Sequence, residues 1–328
     1  MQNPKFSVVV PCYNTANYLD ACLDSLMRQT FPDFEVLLVN DGSTDGTLAS
    51  CRKWEARDGR IRVVDKENGG LSDARNAGMA ASTGQYLVFV DSDDYIEPGA
   101  LEAMDGVIKP ETEIVVTRLL DDIGEKTILR DSGMDAFFAT DTSLGHALSW
   151  VMQHSKNTWP VQGYVVSRKY VEKNKLSFLV GYVHEDVDWT VRLFAKANHV
   201  AICCLPWYHH RRERRGSITN TMNAKRIMNV LEIAHGLLDG PHAAVKDYPE
   251  RFRQMVINRI MASVFQSLVR YRQLATQSEK NAVVACAQQY AGIFRYRPRK
   301  KYKAFMFLVG IFGFRRVLDA YSLLPMGH

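Results

Sequence analysis

The chain is 328 residues long, 46% hydrophobic and 23% charged, which excludes a disordered or low-complexity protein and allows one large domain, or a domain with an extension, around a sizeable core. Its net charge of +5 is unevenly placed: from Ala291 onward there are eight Lys/Arg and one acid, Asp319, a net +7 that leaves the remainder near −2. The basicity therefore belongs to the tail. The six cysteines (Cys12, Cys22, Cys51, Cys203, Cys204 and Cys286) show no zinc-site or redox spacing, and adjacent Cys203 and Cys204 make a poor disulfide pair. Cys22, Cys203 and Cys204 are expected as small core residues in a reducing compartment. The N-terminus enters a strand within six residues, and no signal peptide is expected.

In chain order, Phe6–Val10 reads as a first strand ending at Pro11-Cys-Tyr-Asn14. A helix is expected from about Ala16 to Gln29, with Leu19, Leu23 and Leu26 on one face. Phe34–Val39 is a second strand that runs into Asn40-Asp-Gly-Ser-Thr-Asp-Gly46, a loop with turn glycines ahead of a helical segment Thr47–Arg57. Ile61–Asp65 is a third strand, followed by Lys66-Glu-Asn-Gly-Gly-Leu-Ser-Asp-Ala-Arg-Asn76 and a small-residue helix through Ala81. Tyr86–Val90 is a short apolar run of the kind found in a strand covered on both faces. It stops on three carboxylates, Asp91, Asp93 and Asp94. They admit two readings: a polar turn with Asp94 capping the next helix, or a cluster that a hard cation such as Mg²⁺ or Mn²⁺ makes tolerable. Strand–helix alternation at this spacing predicts a doubly wound, mostly parallel α/β sheet, whose ligand lies beyond the C-terminal strand ends. Asn14, Asp41, Arg75 and Asp91–Asp94 all fall there.

Pro11-Cys-Tyr-Asn14, Asn40-Asp-Gly-Ser-Thr-Asp45, Asn68-Gly-Gly-Leu-Ser-x-Ala-Arg-Asn-x-Gly78 and Asp91-Ser-Asp-Asp94 together resemble glycosyltransferase family 2, with its GT-A (Rossmann-like) nucleotide-sugar fold. The resemblance covers roughly residues 5 to 218. It implies an inverting, metal-dependent transfer from a UDP-sugar, with Mn²⁺ or Mg²⁺ as cofactor. In those roles Asp41 would accept the N3–H of uracil. Pro11, Tyr13 and Asn14 would shape the pocket edge, and Arg75 would reach the nucleotide or its diphosphate. Asp91 and Ser92 would lie against the donor, and Asp93 would ligate the metal. One departure is Asn40, where many members of the family carry an Asp. No glycine-rich lysine loop follows the first strand, which argues against a nucleotidyltransferase on a similar sheet. A non-catalytic sugar-nucleotide-binding protein would lack Asp93 or Asp186, and both are present.

Further along, Leu101–Ile108 reads as a helix, Thr112–Leu119 as a strand and Asp121–Arg130 as a hairpin-like excursion. Trp159–Tyr164 and Ser167–Asn174 read as strand then helix; Trp159 is a core aromatic or a platform for a sugar face. Gly181-Tyr-Val-His-Glu-Asp-Val-Asp-Trp189 resembles the family's Glu-Asp segment opening a helix to Lys196, which makes Asp186 the catalytic base, with Glu185 and His184 near the donor sugar, the leaving phosphate or the acceptor. The chemistry requires a base because an acceptor hydroxyl must lose its proton as it attacks. Asp188 is expected on a solvated face. Tyr208-His-His-Arg-Arg-Glu-Arg-Arg-Gly-Ser-Ile218 resembles the family's Arg-x-Arg-x-Gly-Ser run, a loop closing over the diphosphate, through Arg212, Arg214 and Ser217. Residues 1–218 are therefore expected as the catalytic domain and 219–328 as a helical region, with helices at Ala224–Leu238, Tyr248–Gln273 and Ser278–Tyr290. The apolar run Ala304–Phe314 is too short to span a membrane, and with its basic flanks it reads either as an interfacial helix on an anionic membrane or as a core helix with a basic edge. The acceptor is expected to be a glycan or lipid-linked glycan at the cytoplasmic face. No nucleic-acid partner is expected.

Overall fold

All seven residues of β1 (Phe6–Cys12) and all eight of β2 (Phe34–Asp41) are buried. Unbroken apolar runs such as Val8-Val-Val10 and Val36-Leu-Leu-Val39 suit strands covered on both faces, and helices supply that cover. The structure is a computed structural model; it describes residues 3–130, 159–212, 223–240, 242–296 and 300–321. Two compact units divide the chain: Met1–Gly181 with Ala197–Arg214, and Tyr182–Lys196 with Arg215–His328. The Glu-Asp segment, within Tyr182–Lys196, falls in the second unit.

In the first unit, β1 and β2 are joined by α1 (Ala16–Met27), and β2 and β3 (Ile61–Lys66) by α2 (Thr47–Glu55). Helix α3 (Leu71–Ala81) leads to β4 (Tyr86–Phe89). There follow β5 (Tyr95–Ile96), α4 (Ala100–Val107), β6 (Ile114–Ile123), β7 (Lys126–Leu129), β8 (Tyr164–Ser167), α5 (Arg168–Lys173) and β9 (Val200–Arg211). The sheet runs β3-β2-β1-β4-β8-β6-β9-β5, with β7 on β6. Its β3-β2-β1-β4 half is parallel throughout, as expected; β8 enters antiparallel to β4 and β6, and β6 and β9 are parallel to each other. Helix α3 lies so close to this sheet that a Cβ on Gly78 would stand 2.3 Å from Cγ1 of Val9 in β1. Gly78→Ala should therefore destabilise the unit by roughly 1–3 kcal/mol, the usual cost of overpacking a close helix–sheet contact, and lower its thermal midpoint. An unchanged midpoint would mean that the helix is free to lift away.

Three departures from the sequence reading fall on these strands and the turn before β8. Tyr208–Arg211 is the end of strand β9 and not the start of a loop; its partners in β6 supply the backbone bonds that a local reading cannot see. Trp159–Tyr164 is mostly a 3₁₀ turn, Val161–Gly163, with only Tyr164 in β8. Cys204 is exposed on β9, while the other five cysteines are buried.

The second unit contains α6 (Glu185–Ala195), α7 (Ala224–Leu238), α8 (Glu250–Val269), α9 (Gln277–Gln289) and α10 (Lys300–Tyr321). Local signals set the starts: Asn223 caps α7 through the amide of Arg226, and Thr276 with Glu279 forms a capping box on α9. Tyr248 Oη donates to the carbonyl of Val191 in α6 at 2.7 Å. Phe265, Phe294, Phe305 and Phe314 interlock, with ring centroids 5.2–6.0 Å apart. No described helix is long and apolar enough to cross a membrane.

Candidate active site

The strand ends of the parallel half carry the polar loops, and the loops are laced together. Asn14 takes a left-handed backbone (φ 52°), which asparagine tolerates better than most residues. Its Oδ1 accepts from the amide of Thr44 at 2.8 Å, and its own amide donates to Ser43 Oγ at 3.2 Å. Pro11 is the buried penultimate residue of β1, and Tyr13 beyond it stands 47% exposed at the rim. Ser92 is buried and donates to Thr15 Oγ1 at 3.0 Å, so the loops after β1 and β4 are tied.

Asp41, at the end of β2, is buried. Its Oδ1 accepts from Lys66 Nζ at 2.7 Å and the Gly69 amide at 2.9 Å, and its Oδ2 accepts from the Gly70 amide at 2.8 Å. The φ of +88° at Gly70 is what lets two successive amides turn onto one carboxylate. Lys66 also pairs with Asp73 at 2.6 Å; burial opposes its charge, but hydrogen bonds to the two carboxylates hold its pKa above the ordinary lysine value. Asn40 has a local reason as well. Its Nδ2 donates to Asp65 Oδ1 at 2.7 Å, so an Asp at position 40 would face a second carboxylate.

At the end of β4 the three acids are held differently. Asp91 accepts from Arg75 Nη2 at 3.1 Å on Oδ1 and from Gln162 Nε2 at 2.6 Å on Oδ2. Arg75 is 3% exposed and lies over the Phe178 ring at 5.4 Å, so it is a buried partner of Asp91 rather than an open or surface cation. Asp94 is buried, accepting from Tyr208 Oη and, at 2.9 Å, from the amide of Arg211; Tyr208 Oη in turn accepts from the Asp91 amide at 3.2 Å. Burial, and then repulsion from Asp91 and Asp93, raise the Asp94 pKa to about 7. The same acids, after burial, push the Cys22 thiol up. Asp93, half-buried, lies in the turn between them. Gln162 and Tyr208 are functional candidates that sequence reading missed: Gln162 lies in a stretch read as strand and Tyr208 only opens the arginine segment, and the fold brings both to the acids.

The exit of β9 is also fixed by carboxylates of β6. Asp121 meets Arg130, His210 at 3.1 Å and Arg212 at 3.8 Å. Burial works against its charge, but His210 and Arg130 outweigh it and hold the carboxyl far below its usual range. His209 sits between Glu97 (2.8 Å) and Asp122 (3.2 Å), stacked on Tyr95 with centroids 4.3 Å apart. Arg211 lies over Tyr95 at 5.0 Å. The strand that delivers the arginine run is thereby held up to Arg212. Arg214 and Ser217 lie outside the described residues. Trp159 is half-buried at the start of the 3₁₀ turn that carries Gln162.

In the helical unit, α6 opens with Glu185, Asp186 and Asp188, as acids favoured at a helix N-terminus do. Glu185 is buried and Asp186 half-buried. Asp188 is buried and paired with Arg192 one turn on, not solvated as expected. The approach is pinned by Asn229 of α7, whose Oδ1 accepts from the Val183 amide at 2.9 Å. Arg226, one turn earlier on α7, is buried; burial and Arg270 oppose its charge, and Asp186 and Glu185 support it. His184 takes a left-handed backbone (φ 72°). Burial, then the Arg226 and Arg270 charges, lower its pKa to about 4, so at neutral pH it offers one donor and one acceptor but no charge.

His184 gives a pH test. Its folded pKa lies below the ordinary value of about 6.5, so the unfolded chain takes up the proton first and stability is lost as pH falls from about 6.5 towards 4, by at most about 3 kcal/mol. His184→Asn, which keeps the left-handed turn accessible, should flatten that part of a denaturation-versus-pH curve. An unchanged slope would assign it to other groups.

The donor set at the end of β4 fits a hard divalent cation. Among the described residues no three His, Cys, Asp or Glu side chains form a ready cage. Mg²⁺ and Mn²⁺ are commonly held by one or two carboxylates with the remaining ligands from phosphates and water. The crowding that raises Asp94 is the excess negative charge such an ion would offset.

A half-parallel α/β sheet with carboxylates and interlaced polar loops at its strand ends, followed by a helical extension, is the architecture of the GT-A glycosyltransferases. The family model described as "Glycosyl transferase family 2" matches residues 7–164, and the chain carries a glycosyltransferase family 2 domain. It is 32% identical over 225 residues to "Uncharacterized glycosyltransferase EpsJ" of Bacillus subtilis (strain 168), a match covering 66% of this chain and 63% of that relative's length. The fold resembles S. aureus TarS 1-349, solved in complex with UDP-GlcNAc, with a TM-score of 0.73 at 20% identity over 97% of this chain and 91% of that one. It also resembles a mannosyltransferase from Pyrobaculum calidifontis, solved with GDP-Man and Mn2+, with a TM-score of 0.55 at 16% identity over 98% and 87% of the two chains.

Proposed function

We propose that this glycosyltransferase inverts the anomeric centre while moving a sugar from a UDP-sugar to a hydroxyl of a glycan or lipid-linked glycan, with Mn²⁺ or Mg²⁺, in polysaccharide assembly at the cytoplasmic face of a membrane. The observation that carries this reading is the acidic turn Asp91–Asp94 at the end of a central strand, where burial and repulsion from half-buried Asp91 and Asp93 raise the pKa of Asp94. Asp93 would hold the cation. A divalent ion there would draw charge from the diphosphate as the sugar leaves. Asp91, fixed by Arg75 and Gln162, would meet the donor beside Ser92. Asp41 Oδ2 accepts one backbone donor, and a carboxylate oxygen accepts two, which leaves a place for the N3–H of uracil. Pro11, Tyr13 and Asn14 would border the base. Asp186 would take the proton of the acceptor hydroxyl, with Glu185 and neutral His184 orienting sugar or acceptor and Trp159 available as a stacking face. Arg212, Arg214 and Ser217 would meet the diphosphate, where developing negative charge rewards preset donors. UDP-bound and GDP-bound relatives in the fold make the base itself a question for experiment. Thermal shift against UDP-GlcNAc, UDP-Glc, UDP-Gal and GDP-Man, each with and without Mn²⁺, tests it. A metal-dependent shift with a UDP-sugar supports the reading, and a shift with GDP-Man alone overturns the uracil assignment.

A further inference from the structure

Helix α10 is held at two places and bare between them. Phe305 packs on Phe265 at 5.2 Å, and Phe314 on Phe294 at 5.5 Å; both are buried, as are Val317 and Leu318. Between these contacts Phe307, Leu308, Ile311 and Phe312 are 69%, 41%, 57% and 52% exposed. Their i, i+1, i+4, i+5 spacing puts them on one side of the helix. The backbone leaves helical geometry at Gly313 (φ 79°), immediately after the stripe. Exposed Lys303 lies before it and exposed Arg315 and Arg316 after it, in a tail whose only acid is Asp319.

We propose that this face, Phe307, Leu308, Ile311 and Phe312 bordered by Lys303, Arg315 and Arg316, docks the protein on an anionic lipid surface. Four large apolar side chains raised from a helix that is anchored at Phe305 and at Phe314–Leu318 are costly in water and match the depth of a headgroup–acyl boundary. Bordering cations match the charge of the surface and not that of a second, equally basic copy of the tail. The helix lies on the membrane without crossing it, consistent with its length and composition. Core contacts through Phe305, Phe314 and Leu318 make the tail part of the helical unit, so deletion is the wrong test and surface substitution the right one. The proposal deepens the membrane location given above, and a vesicle assay reads it without any sugar transfer.

Full-length protein should sediment with vesicles of equal phosphatidylglycerol and phosphatidylcholine at low salt and at least about tenfold less with phosphatidylcholine alone or at about 0.5 M NaCl, where charges are screened within a few ångströms. Phe307→Asp with Ile311→Asp, and separately Lys303→Glu with Arg315→Glu and Arg316→Glu, should each lower binding at least about tenfold, with the thermal midpoint unchanged because every altered side chain is exposed. Wild-type protein that ignores the anionic vesicles, or variants that sediment like wild type, would overturn the proposal. So would variants that change only the oligomeric state in gel filtration, which would make the face a self-association surface. Vesicle binding without donor-dependent thermal shift would leave the docking face standing and sink the transferase reading instead.

Discussion

Asp186→Asn should reduce sugar transfer by about two to four decades, the usual range for loss of a general base, while leaving donor binding close to wild type. The substitution keeps size and hydrogen-bonding shape but removes the atom that can take the hydroxyl proton. Asp186 Oδ1 accepts from the Val187 amide at 2.9 Å, and an asparagine keeps an Oδ1 for that bond. Helix α6 is held by buried Trp189, Val191, Leu193 and Phe194, by Tyr248 on the Val191 carbonyl and by Asn229 on the Val183 amide, none of which involves the Asp186 carboxylate. The nearby positive charge of Arg226 loses part of its support, a modest cost set against Glu185, which remains. Single-turnover transfer and donor thermal shift, measured side by side, check it. Ordinary turnover would remove Asp186 from the chemistry, and lost donor binding would move it to a binding role.

What was legible in the chain follows from which interactions are local. The β3-β2-β1-β4 half could be read because β1, β2 and β4 each hold an unbroken apolar run, β3 a shorter one at Val63 and Val64, and helical stretches fall between them. Strand β9 could not. Cys204 and Leu205 are exposed, Pro206 interrupts the ladder beside a register shift, and His209–Arg211 look like loop residues until Asp121 and Asp122 of β6 meet them. Nothing local in the sequence says that Tyr182–Lys196 groups with helices that follow it.

The candidate site divides in the same way. Asn14, Asp41, Arg75 and Asp91–Asp94 stand in short motifs beside the strands that position them, and their spacing alone brings them to one sheet edge. The environment of each was hidden. Gln162 reaches Asp91 from 71 positions away, and Tyr208 reaches Asp94 from 114. Arg75, expected to face a ligand or solvent, is buried against Asp91 and Phe178 instead. Position 40 shows the reverse case. An apparent departure from the family pattern has a local cause in Asp65, and Asn40→Asp without a change at 65 would place two carboxylates together.

Asp93→Ala should abolish Mn²⁺-dependent protection by UDP while leaving the ligand-free protein as stable as wild type or slightly more so. The second half follows from the electrostatics of the turn. Asp93 is one of the charges that raise Asp94 and Cys22, and its removal relieves both. Asp91 and Asp94 keep their protein donors, Arg75, Gln162, Tyr208 and the Arg211 amide, which hold the turn on either side of Asp93. The first half rests on the metal role proposed for Asp93, the acid of the turn that would hold the cation and, through it, the diphosphate. A ligand at a hundred times its dissociation constant stabilises a protein by about 2.7 kcal/mol, or several degrees in thermal midpoint for a unit of this size. Wild type with Mn²⁺ and UDP should show that shift, each alone much less, and the variant none with both. Full protection in the variant would place the metal elsewhere. Loss of the ligand-free fold would make Asp93 a structural residue of the turn.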